Sequence, residues 1–430
     1  MRAARHSPRR RASSGPAGWL LGVGLLLVAG LGCGCHTAEP TRQQAAPVEC
    51  TPRTEATMDQ IRQEAISRAE QWVEPVDYSA ATLGPSPALA VLSYPEADGS
   101  LGERSFVYDG ALALLWFAWT GDEQTARGLA ETLIYLQNAD GSWGFSFSAT
   151  DPDDYQASYV RSGAVAWAAH ALGFYGERYG QPRAIRAARR GADFLERMRI
   201  GEDTAARGLV SAGRGRPATY APTAGGPPLR YAVAEHQFDA QIVLERFAPM
   251  VAGRLAERMV EVLWLDDQGR FAVAASEDID RRRALDAAGA WGALWLLGRG
   301  DDERAQRSFD YSVGQFRTED DGMLGFCPYR DAIDNYDTDR CEGHFFVEGT
   351  MSMGLAAHRL GDEDIAGQVL QTGIELGCRG PMGLAYSNVE MPGFSTRAAA
   401  ASTLWFLFLE REMRTGQTAP LFDVESLDAG

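Results

Sequence analysis

One helical hairpin recurs along the chain, and this repeat restricts the possible folds more than any other feature. In the first copy, from Asp109 to Phe145, an acidic residue opens an apolar helix, a Gly-Asp turn follows, and an amphipathic helix leads into a Gly-rich extended piece. Asp286 and Glu348 open two further copies, each with the same Gly-Asp turn. Such internal repetition is typical of architectures that arrange copies of one supersecondary unit.

From Met58 onward the hydrophobic pattern predicts twelve helices of two kinds. Six are apolar on most sides, six have a single apolar face, and the two kinds alternate. An all-α (α/α)6 toroid requires that alternation, because six buried inner helices surround an axis and six outer helices return around them. We therefore predict a toroid of six helical hairpins with short extended loop pieces over residues 57–415, and a tail over 416–430. A superhelical repeat array or two helical bundles are the alternatives.

The first part of the chain has the composition of an export signal and a tether. An Arg-rich start precedes an apolar run, Trp19–Leu31, that is shorter than a membrane span. Residues 1–35 are predicted to be a signal peptide, in which Cys33 or Cys35 resembles the lipidated residue of a bacterial lipoprotein; an ordinary signal peptide is the alternative. Residues 36–56 are polar and aperiodic, which indicates a tether. We expect a monomer in the bacterial cell envelope (periplasm or outer membrane), held by a lipid anchor only, or secreted.

The net charge argues against a nucleic-acid-binding protein, and the absence of lysine excludes chemistry that needs a lysine side chain. The formal net charge is −17, which argues against a nucleic-acid partner, because such proteins present a basic face. The chain has no lysine, so all 41 basic residues are arginine and neither a Schiff-base lysine nor a phosphate-loop lysine is present. We expect no cofactor.

Export would permit disulfide bonds. Cys327 and Cys341 flank an Asp-rich loop, and we predict that they pair; Cys50 and Cys378 either pair or stay free. The Asp331–Asp339 part of the loop has alternating carboxylates, but it lacks the Gly and the terminal Glu of a calcium loop, so we expect no metal site.

Parallel inner helices would place all their N-termini at one mouth of the toroid. Four of the predicted inner helices carry a carboxylate near the start, and the other two carry an arginine. First-turn acids also serve as helix caps, but these four belong to buried helices, and converging carboxylates beside aromatic rings are typical of a binding site. The side chains that we expect to bind a substrate there are Tyr108, Trp143, Arg161, Glu235, His236, Asp239, Asp286, Phe346, Tyr386 and Arg397.

The openings of the inner helices, YDGALAL, EHQFDA, ALDAAGAWG and FFVEGTMSMGLA, resemble those of the bacterial six-hairpin glycosidase superfamily. The resemblance covers Met58 to Glu412. It implies a carbohydrate substrate and usually an inverting hydrolase, although lyases and epimerases share the barrel. We therefore expect an exported glycoside hydrolase that acts on an oligo- or polysaccharide with a pair of carboxylates.

Within that expectation, Glu348 is the predicted general acid and Asp109 the predicted general base. Glu348 follows two phenylalanines, whose apolar surroundings would raise its pKa, whereas Asp109 would stay ionised beside Tyr108. Arg161 and Arg397 are expected to pair with these carboxylates; the alternative is that they bind an acidic sugar.

Three other functions stay open. An epimerase would use His236 and His344 as acid and base, whereas His170 and His358 are expected to be structural. A terpene cyclase is the weakest of the three: LIYLQNADGSWG and the acidic segment from Asp151 resemble its motifs, but the Gln-Trp repeat occurs once and the acidic segment is typical of a loop before a helix. A glycan-binding lipoprotein would keep the fold without catalysis.

Overall fold

The computed structural model describes residues 57–78, 88–151, 153–201, 203–215, 227–332, 341–379 and 382–423. The predicted export signal with Cys33 and Cys35, the tether with Cys50, and the end of the predicted tail lie outside these ranges. Within them, no helix combines the length and the apolar character that a membrane crossing requires.

The described residues form twelve α-helices, and they alternate between an outer and an inner layer. In chain order they are α1 (Met58–Trp72), α2 (Val107–Thr120), α3 (Glu123–Leu136), α4 (Ser162–Arg178), α5 (Pro182–Arg197), α6 (Ala234–Phe247), α7 (Pro249–Leu263), α8 (Trp291–Leu297), α9 (Asp302–Phe316), α10 (Val347–Leu360), α11 (Glu363–Arg379) and α12 (Ala400–Thr415). The even-numbered helices pack side by side into a closed inner ring, in which α12 contacts α2. The odd-numbered helices surround that ring, and α1 closes the outer layer against α11 and α12. The predicted (α/α)6 toroid is confirmed.

The two layers follow from the hydrophobic patterns. Helix α4 is buried on every side along most of its length, whereas α3 buries only one face. Between α2 and α3 the chain turns at Gly121, whose φ of 92° is left-handed, and the Asp122 side chain then accepts a hydrogen bond from the Thr125 backbone N–H at 3.1 Å. Gly361 ends α10 in the same way. The Gly-Asp turns of the repeat are therefore helix stops followed by helix caps.

Short antiparallel strands hold the N-terminal ends of the inner helices. The strands are β1 (Val76–Asp77), β2 (Leu89–Ala90), β3 (Arg104–Phe106), β4 (Ser146–Ser148), β5 (Val160–Arg161), β6 (Gly213–Arg214), β7 (Ala232–Val233), β8 (Trp264–Leu265), β9 (Arg270–Phe271), β10 (Ala274–Ala275), β11 (Ile279–Asp280), β12 (Arg317–Asp320) and β13 (Met323–Phe326). Their sheets pair β1 with β2, β3 with β4, β5 with β6, β8 with β9 and β12 with β13, and β10 lies between β7 and β11.

Three of these pairs have the same place in their hairpins. β3, β5 and β7 each lead into an inner helix, and each pairs with a strand that follows the outer helix of the same hairpin. Single β-bridges, Ala284 with Tyr329 and Phe346 with Ser387, have the same role at α8 and α10. Each of these five hairpins is thus closed on itself at one end of the toroid, and this closure sets the register at which its inner helix begins.

The opposite end of the ring is filled by the first residues of the predicted tail. Residues 419–422 are buried among the C-terminal ends of the inner helices. His170 Nε2 lies 2.7 Å from the Pro420 carbonyl oxygen, and the Phe422 ring packs edge-on against Trp167 with 5.5 Å between ring centroids. The Arg359 guanidinium forms two 2.8 Å hydrogen bonds with the Glu412 carboxylate and also donates to the carbonyls of the segment. The predicted structural role of His170 agrees with this contact.

A disulfide joins Cys327 and Cys341, as predicted, with 5.5 Å between the Cα atoms. The bond ties the chain after β13 to the approach of α10. Cys378 is also disulfide-bonded.

Candidate active site

A pocket opens at the end of the toroid where the inner helices begin, and it contains about 650 Å³ of space including its opening to solvent. This volume is in the range of small-ligand sites. The second residues of α2, α6 and α10, which are Tyr108, Glu235 and Glu348, all line the pocket. Because the strand pairs start these helices in the same register, equivalent positions meet at the ring axis.

Four carboxylates line the pocket: Glu235, Asp239, Asp286 and Glu348. Asp239 lies four residues after Glu235 and therefore on the same face of α6. Burial raises the pKa of Glu235, Asp239 and Asp286 well above the ordinary range, and each carboxyl lies close enough to another for repulsion to add to the effect. Desolvation and like charge both penalise the ionised form of a carboxyl, so this environment favours protonation within the cluster.

Glu348 is the carboxyl that the surrounding structure holds most tightly. It is 6% exposed, and burial raises its pKa to about 8. The Tyr108 hydroxyl donates to Glu348 Oε1 at 2.5 Å, and the Trp405 indole N–H donates to the Tyr108 oxygen at 2.9 Å. The raised pKa of Glu348 agrees with the prediction that apolar surroundings would raise it.

Asp239 and Asp286 each direct an uncommitted oxygen into buried space. Oδ1 of both residues has no hydrogen-bond partner in the described part of the chain. The Trp167 indole N–H hydrogen-bonds Asp239, which favours its ionised form. Asp286 opens a turn of π-helix, Asp286–Ala290, that leads into α8. A polar ligand in the pocket would satisfy both oxygens, which are otherwise costly to bury.

The structure does not place Asp109 in the pocket lining. Asp109 is the third residue of α2, one position after Tyr108, and it is buried against Ser93, which donates a hydrogen bond to it. Burial raises its pKa to about 7, so the structure does not support the expectation that Asp109 is fully ionised at neutral pH. The similar motifs YDG and VEG align Asp109 with Glu348 in the sequence. In the structure α2 begins at Val107 and α10 at Val347, so Tyr108 has the helix position that corresponds to Glu348.

Aromatic rings form much of the remaining wall. Phe346, Tyr386 and Phe394 form one cluster, in which the last two are stacked at 5.7 Å with an interplanar angle of 14°. Trp291 also lines the pocket. Trp143 does not: its ring is fully buried, and its indole N–H donates to the Leu133 carbonyl at 2.7 Å.

Several lining residues were not anticipated. Phe145, Trp167 and Tyr329 line the pocket, and Trp405 lies behind Tyr108. Trp167 lies four residues after Gly163, the second residue of α4, just as Asp239 lies four residues after Glu235, the second residue of α6. Residues four apart share a helix face, so this spacing could have predicted that Trp167 faces the pocket.

The two arginines do not pair with the carboxylates as expected. Arg161 lines the pocket with its guanidinium 4.1 Å from the Tyr159 ring centroid, and within the described ranges it has no carboxylate within 4.0 Å. Arg397 is partly exposed outside the pocket lining, 4.0 Å from the exposed Asp98 carboxylate. Of the predicted binding residues, Arg397 and Trp143 are the two that the pocket lining does not include.

The two candidate histidines differ in position. His236 lines the pocket, and its Nε2 lies 4.0 Å from Glu235 Oε1. Burial lowers the pKa of His236 to about 3, with a smaller effect from the positive charge of Arg161. His344 is buried outside the lining, and its Nε2 lies 2.9 Å from the Ser387 hydroxyl. His358 is at the far end of α10, where its Nδ1 lies 3.1 Å from Glu363.

The described residues of the acidic segments noted in the sequence are not part of the pocket lining. Asp154 pairs with Arg104 beside β3, and Asp151 is exposed. Asp331 Oδ1 lies 2.7 Å from Arg283 Nη2, while residues 333–340 are outside the described ranges. No cluster of three or more His, Cys, Asp or Glu side chains in the described residues is arranged to hold a metal ion.

No protein-family model matches the chain, and no curated protein matches it significantly. Solved structures do match. An alpha-amylase from Clostridium perfringens has a TM-score of 0.57 at 10% identity, over 84% of this chain and 98% of its own. A D-mannose isomerase has a TM-score of 0.56 at 12% identity, over 84% and 100%. A GH76 alpha-mannanase from Bacteroides thetaiotaomicron has a TM-score of 0.52 at 10% identity, over 84% and 98%.

These low identities mean that the likeness establishes the fold alone. The chain has the six-hairpin (α/α)6 toroid, and its predicted resemblance to the six-hairpin glycosidase superfamily is confirmed at the level of that fold.

Proposed function

We propose that this protein is a glycoside hydrolase in which Glu348 is the general acid. The observation that carries the proposal is that a carboxyl with a pKa of about 8 lines a pocket with three other carboxylates and a wall of aromatic rings. Glycoside hydrolysis needs one protonated and one ionised carboxyl on either side of the scissile bond. The alpha-amylase with the same fold supports a sugar substrate by analogy only.

Glu348 can keep its proton at neutral pH and present it to a glycosidic oxygen. Oε1 accepts the hydrogen bond from Tyr108, which leaves Oε2 as the oxygen that would carry the proton. Burial raises the pKa of Tyr108 well above its ordinary value, and the phenol therefore stays a donor. A general acid with a pKa near the working pH contributes about 10²–10⁴-fold to the rate.

We assign the second carboxylate role to Asp239 instead of Asp109. Asp239 lines the pocket and accepts a hydrogen bond from Trp167, which stabilises its ionised form. Glu348 is the other carboxyl of the cluster that accepts such a hydrogen bond. It would activate water or attack the sugar ring, and the anomer of the first product distinguishes inversion from retention. Glu235 and Asp286 would bind sugar hydroxyls, and Tyr386 and Phe394 would pack against an apolar sugar face.

The test is a mass-spectrometric screen of the purified protein against bacterial and plant oligosaccharides. Fragments that each gain one water would establish hydrolysis. E348Q and D239N should then each lower kcat by at least about 10²-fold. The control is E342Q, which removes an exposed carboxylate shortly before α10 and should leave kcat unchanged. Full turnover by E348Q would refute the assignment, and sugar binding without any product would indicate a glycan-binding protein.

His236 favours a second candidate function, the epimerisation or isomerisation of a sugar. It lines the pocket, and its Nδ1 has no hydrogen-bond partner in the described ranges. Proton transfer at a sugar carbon would incorporate deuterium from D2O with no cleavage, and H236Q would abolish that incorporation. A lyase would instead release an unsaturated product. The position of His344 outside the lining gives no support to a pair of catalytic histidines.

Export remains part of the proposal and rests on the first 35 residues of the sequence. We propose a monomeric lipoprotein of the cell envelope, lipidated at Cys33 or Cys35. Metabolic labelling with a fatty acid, in the wild type and in C33A and C35A variants, tests this localisation and identifies the lipidated residue.

A further inference from the structure

We propose that Arg161 binds the carboxylate of an acidic sugar, so that the substrate of this pocket contains a uronic acid. This inference rests on the proposed glycoside hydrolase function and specifies its substrate class. Among the described residues that line the pocket, Arg161 is the only arginine, and the chain has no lysine. A guanidinium on the wall of a sugar pocket requires an anionic partner or a structural reason for its position.

The start of α4 differs from the starts of the other inner helices that line the pocket. Its second residue is Gly163, where α2, α6 and α10 have a tyrosine or a glutamate. A Cβ atom at Gly163 would lie 2.7 Å from the His236 ring and 2.8 Å from Asp239 Oδ2, so no larger side chain fits. Arg161, which immediately precedes the helix, therefore supplies the polar group on this side of the ring.

The contacts of Arg161 orient its guanidinium but do not neutralise it. The group lies 4.1 Å from the Tyr159 ring centroid, and Nη1 donates to the Val160 carbonyl at 3.2 Å. Stacking on an aromatic face fixes the plane of a guanidinium and leaves its edge free to donate. No described carboxylate lies within 4.0 Å of it to compensate its charge.

The four carboxyls of the pocket oppose this charge less than four ionised groups would. Burial and repulsion between neighbouring acids raise the pKa of each, which favours the neutral form. The positive charge of Arg161 also contributes to the low pKa of His236, which lines the same pocket. The described lining thus combines one fixed cation with carboxyls whose pKa values are raised.

A uronate carboxylate fits this arrangement. It is planar, and the guanidinium edge can donate two parallel N–H groups to it. The remaining sugar hydroxyls would then face Asp239 and Asp286, whose Oδ1 atoms lack partners in the described residues. The orientation of the sugar would be set by its charged group before α4 and by its hydroxyls at α6 and at the π-helical turn before α8.

The experiment compares an oligouronide with the same oligosaccharide after chemical reduction of its carboxyl groups. We expect the wild type to prefer the oligouronide in kcat/KM by at least about tenfold. R161Q should lower the ratio of the two kcat/KM values at least tenfold, R161K should lower it less, and R397Q, outside the pocket, should leave it unchanged. Equal use of both substrates by the wild type, or an equal loss on both in R161Q, would overturn the inference. A sulfated oligosaccharide that is preferred over the oligouronide would also overturn the assignment to a carboxylate.

A binding measurement separates this inference from the hydrolase proposal. Trp167 and Trp291 line the pocket, so their fluorescence can report oligouronide binding by E348Q. Tighter binding of the oligouronide than of its reduced form, with the difference lost in the E348Q/R161Q double variant, would support the role of Arg161 even if the protein cleaves nothing. Hydrolysis of neutral sugars with no effect of R161Q on selectivity would refute the role of Arg161 and keep the hydrolase.

Discussion

The Tyr108 hydroxyl donates a 2.5 Å hydrogen bond to Glu348 Oε1, across 240 positions of the sequence. The Trp405 indole N–H donates to the same hydroxyl at 2.9 Å. These three residues belong to α2, α10 and α12, which are neighbours in the inner ring. The acid that we assign to catalysis is therefore held by the closure of the toroid, where the last inner helix meets the first.

Removal of the Tyr108 donor should move the alkaline limit of activity upward. The hydrogen bond stabilises ionised Glu348, so Y108F should raise the Glu348 pKa above its value of about 8. Because the acid must be protonated, activity is present below this pKa and is lost as the pH rises through it. The pH profile of kcat/KM measures the change, and an alkaline limb that stays in place or moves downward in Y108F would contradict it.

Replacement of Asp109 should shift the same limb in the opposite direction. The negative charge of Asp109 raises the pKa of Glu348, and D109N removes that charge. We expect D109N to keep turnover within about tenfold at pH 6, because the side chain is outside the pocket lining, and to lose activity at a lower pH than the wild type. Loss of turnover at every pH, with the protein folded, would instead support the original expectation of Asp109 as base.

The same variant should make the protein more stable, and more so at high pH. Burial raises the folded-state pKa of Asp109 to about 7, compared with about 3.9 in an unfolded chain. The bound proton thus stabilises the fold fully below about pH 4, and this contribution is lost as the pH rises through about 7. Asparagine needs no proton, so the Tm of D109N minus that of the wild type should grow between pH 5 and pH 8, by an amount that corresponds to about 2–3 kcal/mol. A difference that is constant with pH would contradict the burial argument.

Loss of the Cys327–Cys341 disulfide should lower stability and weaken substrate binding. The bond closes a loop with a sequence separation of 14, for which chain entropy predicts about 3 kcal/mol. Pro328 and Tyr329 follow Cys327 directly and line the pocket, so KM should rise as well. Denaturant unfolding and kinetics of the C327A/C341A variant test both effects. An unchanged unfolding midpoint would show that the loop is held by other contacts.

The buried C-terminal segment should affect catalysis through Trp167. Phe422 is 2% exposed and packs against Trp167, which hydrogen-bonds Asp239. F422A should cost about 3–5 kcal/mol of stability and also lower kcat, measured well below the Tm. F309A removes a ring that is equally buried in α9, away from the pocket lining, and provides the matched control. Equal kcat in the two variants would mean that Phe422 has only a packing role.

Much of the architecture was predictable because it depends on local patterns. The alternation of wholly apolar and one-sided helices, with Gly121-Asp122 as stop and cap, predicts hairpins, and a closed ring is a way to bury the inner helices on all sides. The pairing of Cys327 with Cys341 depends on a short sequence separation. Glu348 was found because it belongs to a buried helix and two phenylalanines precede it.

The composition of the pocket depended on distances that no local pattern contains. Successive residues of a helix point about 100° apart. The residue at which α2 begins therefore decides that Tyr108 points toward the axis and that Asp109 points away from it. That start is set by the pairing of β3 with β4, a contact between segments about forty residues apart. Trp143 is buried, and Arg161 has no carboxylate partner among the described residues, for a related reason: the register of each hairpin against its neighbours decides which side chains reach the ring axis.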